Sequence, residues 1–190
     1  GVRNVAVGKS ALYSNTTGIE NTSVGHGSLY TNTTGGSNVS MGIWSLSFNS
    51  TGSNNTAIGT SAAAQNTTGS FNLALGTGAL VGNRANSRTT ALGHYAMLNA
   101  DARTEGIETF NTAVGYEALR GSYNALDNTG IENVAVGDQS MLNNTSGSYN
   151  TAVGRESLKS NTTGESNTAF GNAALYKNET GTGNTGVGKN

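Results

Sequence analysis

A glycine preceded by an apolar residue returns along this chain at a nearly fixed interval, and that interval limits the fold more than any other property. Units begin at Asn4, Asn21, Asn38, Asn55, Asn72 and Thr89, 17 residues apart. Asn111 and Asn133 each follow after 22 residues, and the spacing of 17 returns at Asn150, Asn167 and Asn184. Ten units and the opening of an eleventh therefore fill the 190 residues. Counting positions from 1 within a unit, position 1 is Asn in every unit but one, and position 3 is Ala, Ser or Gly. Position 4 is always apolar, and position 5 is always glycine: Gly8, Gly25, Gly42, Gly59, Gly76, Gly93, Gly115, Gly137, Gly154, Gly171 and Gly188. Position 8 is Ala or Ser, and position 9 is Leu or Met except at Ala63. The eight 17-residue units carry Asn at position 12, followed mostly by Thr-Thr-Gly. A period of this kind is the signature of a repeat architecture.

The apolar positions lack a helical period, and the glycine and asparagine content opposes helix. Short β-branched runs bounded by Gly and Asn read as strands and turns. One unit is expected to be one coil of an all-β parallel β-solenoid, with strands near positions 2–4 and 8–10. Coils stacked ~4.8 Å apart would make a rod on the order of 50 Å long. The Asn rows at positions 1 and 12 would stack as amide ladders. The glycine at position 5 is expected where the backbone needs positive φ or a close approach. Asn86, standing for glycine at position 15, suggests a left-handed turn there, since Asn is the other residue that tolerates one. Positions 4 and 9 are expected to fill the coil. Positions 3 and 8 would point the opposite way and leave room for a neighbouring sheet. Two large apolar side chains per coil are little set against the ordering of a whole coil, so burial against other copies is expected, most simply three about one axis.

The run Asn-Thr-Ala-Val-Gly-x-x-Ala-Leu resembles the head repeat of trimeric autotransporter adhesins, the YadA-like heads. That resemblance implies a left-handed parallel β-roll in a homotrimer. The longer form, Asn111-Thr112-Ala113-Val114-Gly115-Tyr116-Glu117-Ala118-Leu119 with Asn-Thr-Thr-Gly between copies, also resembles repeats of phage-type tail fibres. The resemblance covers essentially the whole chain. The unit of 17 is longer than the autotransporter repeat, so the turns must differ. Both families imply an extracellular location, at a cell surface or in a virion or tail fibre.

Composition removes other classes. Net charge is −1, which gives no electrostatic reason to bind nucleic acid, and no apolar run is long enough to span a bilayer. Cysteine is absent, so no disulfide framework exists. His26 and His94 share position 6 but lie four coils apart, roughly 19 Å, too far to share a metal. No metal, no cofactor and no catalytic residue is expected. Seven of the eleven acidic residues lie between 101 and 138. A depolymerase could use a carboxylate pair there, but loop carboxylates beside Arg103 and Arg120 are the plainer reading. Eleven Asn-x-Ser/Thr sequons occur, among them Asn15, Asn32, Asn66 and Asn161, and most coincide with the expected turn ladder. Threonine rows raise ice binding, but position 2 mixes Thr with Val and Leu.

The expectation is a single repeat domain over 1–190, a piece of a longer fibre, with no enzymatic activity. Its two five-residue insertions fall at 97–110 and 119–132, in the coils spanning 89–110 and 111–132. Insertions in adjacent coils emerge on one side and often build a binding face. The candidate contact residues are Arg103, Glu105, Glu108, Tyr116, Arg120 and Tyr123, of which the two arginines and two tyrosines are types that anchor interfaces, with Trp44 on the variable track at positions 6 and 7. The expected partners are further copies of the chain and a host surface protein or glycan.

Overall fold

The structure is a computed structural model and describes residues 1–189. It is a parallel β-solenoid. Eleven three-residue strands follow in chain order: β1 (Val5–Val7), β2 (Thr22–Val24), β3 (Val39–Met41), β4 (Thr56–Ile58), β5 (Leu73–Leu75), β6 (Thr90–Leu92), β7 (Thr112–Val114), β8 (Val134–Val136), β9 (Thr151–Val153), β10 (Thr168–Phe170) and β11 (Thr185–Val187). They form one sheet in sequence order, each parallel to the next. Position pairs with position throughout, as in Val5 with Thr22 and Val7 with Val24. The two longer coils leave this register unchanged, since Thr90 pairs with Thr112 and Thr112 with Val134. Their extra residues loop out beyond the sheet.

The expected second strand is absent among the described residues. Positions 8–10 are turns because the chain alternates into the left-handed region at positions 7 and 9. Leu12, Leu29, Leu46 and their equivalents at position 9 have φ near 50°, for example 52, 49 and 46°. Position 17 does the same, as at Glu20 (59°) and Phe71 (60°). Such a conformation disfavours most side chains by about 1–2 kcal/mol each, and here the stacked neighbours hold it. A backbone that reverses hand at every second residue cannot continue an extended strand.

The two faces of the strand are the reverse of those expected. Position 3 points inward: Ser23, Ser40, Ala74, Ala91, Ala113, Ala135, Ala152 and Ala169 are fully buried. Positions 2 and 4 point outward, and Val7, Met41, Ile58 and Phe170 are exposed. Positions 8 and 9 also face the interior, with Leu29, Leu46, Leu80, Met141 and Leu158 completely enclosed. Small residues at positions 3 and 8 thus meet each other across a thin coil rather than a neighbouring chain. Ser40 Oγ donates to Ser45 O at 2.9 Å across this gap. Leu at position 9 takes up the remaining width.

Both asparagine rows are buried ladders. At position 12, Asn32 Nδ2 donates to Asn15 Oδ1 (2.9 Å), Asn49 to Asn32 (2.9 Å), Asn66 to Asn49 (2.8 Å) and Asn83 to Asn66 (2.9 Å). At position 1, Asn38 Nδ2 donates to Asn21 Oδ1 at 3.0 Å, and the Asn38 backbone N–H donates to the same oxygen at 3.0 Å. The carbonyl at position 15 joins the two rows: Gly35 O accepts from Asn21 Nδ2 (2.8 Å) and from Asn32 Nδ2 (3.0 Å). Each amide thus finds partners along the rod and within its own coil, so burial leaves its donors satisfied.

Gly115 shows why position 5 admits no side chain. Its φ is 133°, and a Cβ there would lie 2.6 Å from Gly137 O in the next coil. Position 15 is different, and the reading of Asn86 is corrected accordingly. Glycines there, such as Gly35 and Gly52, do not have positive φ, and neither does Asn86. They are glycine because a Cβ would strike the next coil and the Asn amides, as at Gly35, where it would sit 2.5 Å from Asn32 Oδ1. Asn86 precedes the first long coil, which gives its side chain partners: Ile107 N donates to Asn86 Oδ1 at 3.2 Å, and Asn86 Nδ2 donates to Asp101 O at 3.3 Å.

Two outcomes test this description. Ala152→Leu overpacks the coil and destabilises it by about 1–3 kcal/mol or more, whereas Thr151→Val on the outer face stays within about 0.5 kcal/mol; urea unfolding of the two variants gives the comparison. Gly115→Ala combines a forbidden φ with a backbone collision and lowers stability by more than the roughly 1–3 kcal/mol of a strained residue alone. Gly183→Ala, with no atom within 4 Å of its added Cβ, loses less in the same thermal melt.

Candidate functional site

Where the chain departs from its repeat, both ladders are interrupted. Thr89 replaces Asn at position 1, and its hydroxyl pairs with Thr109 Oγ1 at 2.7 Å. Ala100 replaces Asn at position 12, and Asn144 is the next residue of that row to resume the ladder, with Asn161 Nδ2 donating to Asn144 Oδ1 at 2.8 Å. Between them lies a small cavity of about 30 Å³, lined by Asn83, Asn99, Asp101, Asn111, Asn128 and Asn144 among others. That volume suits a single water. Asn99 Nδ2 is buried without a hydrogen-bond partner beside it.

Asn128 substitutes for the missing ladder. It accepts from Ser122 N at 2.8 Å, donates from Nδ2 to Ser122 O at 2.9 Å, and donates to Asn99 O. This pinches shut the second inserted loop, which holds a single 3-10 turn at Ala125–Asp127 capped by Asn124. The loops of the two coils touch where Ala102 N donates to Ala125 O at 3.4 Å.

The candidate contact residues separate into distinct places. Arg103 folds onto Asp101 at the base of the first loop, with Nε 2.7 Å from Oδ2. This hydrogen bond raises the guanidinium pKa from its ordinary value. Glu105 is exposed beside it. Glu108 turns to the strand side, where Arg88 Nε meets it at 2.6 Å and lies between the rings of Phe71 and Phe110, 5.7 Å from each. Arg120 pairs with Glu117 at 3.2 Å and lies over the Tyr123 ring at 5.1 Å. Tyr123 is 84% exposed, the most open aromatic among the described residues. Tyr116 belongs to another row, stacked on His94 with centroids 5.8 Å apart. The acidic cluster therefore holds three carboxylates already neutralised by arginines, at Asp101, Glu108 and Glu117.

Trp44 is held within its own surface. It lies four coils from Tyr116, edge-on to His26 at 4.9 Å and to Tyr30 at 6.1 Å, and Tyr30 stacks on Tyr13 at 5.2 Å. Its ring covers Gly27, the position 7 residue of the preceding coil, and Tyr95 covers Gly78 in the same way. The spacing of 17 between each glycine and the aromatic that covers it is visible in the sequence but needs the zero-offset register to be understood. Among the sequons, Asn32, Asn49, Asn66 and Asn161 are fully buried ladder members, while Asn54 and Asn143 are exposed.

Among the described residues no group of three or more His, Asp or Glu side chains is placed to hold a metal ion, and no helix is long and apolar enough to cross a membrane. Comparisons with family models, curated proteins and solved structures return no match. The fold and the site geometry define a parallel β-solenoid repeat protein.

Releasing the pinch tests its role. Asn128→Ala removes three hydrogen bonds, each worth about 1 kcal/mol. Proteases are expected to cut within 122–127 many times faster, while the amides of β5 and β9 keep their hydrogen-exchange protection.

Proposed function

We propose that this chain is a structural and attachment segment of an extracellular fibre, built from three copies packed along their sheets. The observation that supports it is the outer sheet face. Positions 2 and 4 carry Thr, Val or Leu and Val, Met, Ile, Leu or Phe across all eleven strands. Eleven strands of three residues span roughly 50 by 10 Å, about 500 Å² of mainly apolar surface. The largest apolar patch of a monomer is typically ~300–600 Å² and often functional, and here it runs unbroken along the whole sheet. A second copy of this chain is the occupant that matches its length and its straight, repeating profile, and a threefold axis lets each sheet face the other two. The resemblance to YadA-like heads and phage-type tail-fibre repeats points the same way, including the left-handed sense of the roll. The fibre stands at a cell surface or on a virion tail and presents its rim, with the inserted loops, to a host protein or glycan.

The ice-binding alternative fares less well. Position 4 contains no threonine and varies from Val to Phe, so the outward face lacks a regular hydroxyl lattice. A depolymerase would need a free carboxylate pair, and three of the carboxylates near the insertions are held by arginines.

Light scattering of the isolated segment decides the assembly. Three times the chain mass is expected, and a stable monomer at micromolar concentration would overturn the proposal. Val114→Glu with Val136→Glu places two carboxylates on the outer face without touching the interior. The expected result is a folded monomer with unchanged far-UV circular dichroism; a persistent trimer would mean that another face is buried.

A further inference from the structure

We infer that the groove beside the first inserted loop binds an acidic saccharide, one carrying a carboxylate on its ring. The inference rests on the attachment reading and supplies a ligand class for it. The groove has a volume of about 350 Å³ and is lined by Phe48, Gln65, Thr67, Arg84 and Thr104. That volume falls within the ~300–1,000 Å³ of small-molecule sites.

Its chemistry departs from the repeat at Arg84 and at the inserted Thr104. Position 13 is Thr or Ser in the four coils before it (Thr16, Thr33, Ser50, Thr67), and Arg84 breaks that rule. Position 11 runs Phe48, Gln65 and then Gly82, so the row of side chains stops one coil before the insertion that supplies Thr104. Phe48 is 57% exposed. Arg84 is the only arginine among the described residues that meets no carboxylate; the other five are all paired. An unpaired guanidinium carried on a rigid turn can grip a carboxylate with two parallel hydrogen bonds. Here the turn is fixed by its own carbonyl, which accepts from Thr67 N (2.6 Å), Thr68 N (3.2 Å) and Thr67 Oγ1 (2.8 Å).

The same bonds argue against an extended peptide. The backbone N–H groups of Phe48, Gln65 and Thr67 all donate to the next coil, so no free edge remains for strand addition. Recognition falls to side chains: an open aromatic ring for the apolar face of a sugar, an amide for hydroxyls and a guanidinium for the carboxylate. Nothing in the repeat calls for this combination at one place.

The test is binding of sialyllactose and trigalacturonate to the whole chain by calorimetry, with lactose and a short peptide bearing a free C-terminal carboxylate as comparison arms. The acidic saccharides are expected to bind, with affinity falling as salt rises. Lactose should bind at least about tenfold more weakly, and Arg84→Gln should cost the acidic saccharides about the same factor. Phe48→Ala should weaken both sugars. Arg84→Lys, which keeps the charge but loses the fork, should fall between, and it serves if the Gln variant does not fold. Equal binding of lactose, tighter binding of the peptide, indifference to Arg84→Gln, or no binding of either acidic saccharide would overturn the inference. Light scattering of the same samples reports separately on the fibre: a trimer that ignores these sugars removes the groove and leaves the assembly standing.

Discussion

Every side chain in this rod must tolerate a copy of its own position, one strand spacing above and one below. Few groups meet that condition when buried. A carboxylate or an ammonium would repel its copies, and a bulky ring would need room the coil does not have. The carboxamide meets it because it carries a donor and an acceptor on opposite sides of one small plane, so each amide completes the next. Two such rows, joined in every regular coil through the carbonyl at position 15, replace much of the hydrophobic core that the sequence lacks. The high asparagine and glycine content, which would suggest disorder in another chain, is here a consequence of stacking identical layers.

The same layering explains the thin interior. Left-handed residues at positions 7, 9 and 17 and the glycine at position 5 fold each coil tightly on itself. The space between the strand and the opposite turn admits only Ala or Ser at positions 3 and 8, with one Leu or Met beside them. Larger apolar side chains on the strand are therefore forced to the outside, against the usual preference. A globular domain would bury them with a second layer of its own chain. The described residues form no second layer, and the proposed assembly would supply one.

The sequence made the period, the number of coils, the strand at positions 2–4 and both ladders legible, because each depends on a rule that repeats with the residue type. The direction of the strand faces was not legible. Alternation shows that Ala113 and Val114 point opposite ways but not which is inside, and the expectation that the larger residue is buried fails when the coil is narrow. The turns at positions 8–10 were hidden because Leu12 and its equivalents adopt positive φ without being glycine, Asn or Asp. Asn86 misled for a related reason: its neighbour in the next coil, not its own φ, permits a side chain there. Of the site, Arg103, Arg120 and Tyr123 could be named from the insertions, but their pairing with Asp101 and Glu117 could not. Arg84 and Gly82 stood out as breaks in positions 13 and 11 only once those rows were seen to line one surface.

The break of the position 1 ladder at Thr89 and of the position 12 ladder between Asn83 and Asn144 bears on how the rod carries tension. The backbone bonds between coils run along its axis, so a pull on the two ends loads them in series. Each coil depends only on its neighbours, and the first to part frees about 17 residues, roughly 60 Å of slack chain, for ~4.8 Å of rod. Such a filament yields in steps instead of snapping. The joint with no continuous amide row is where the steps begin, and the loop pinched by Asn128 is the clasp that delays them.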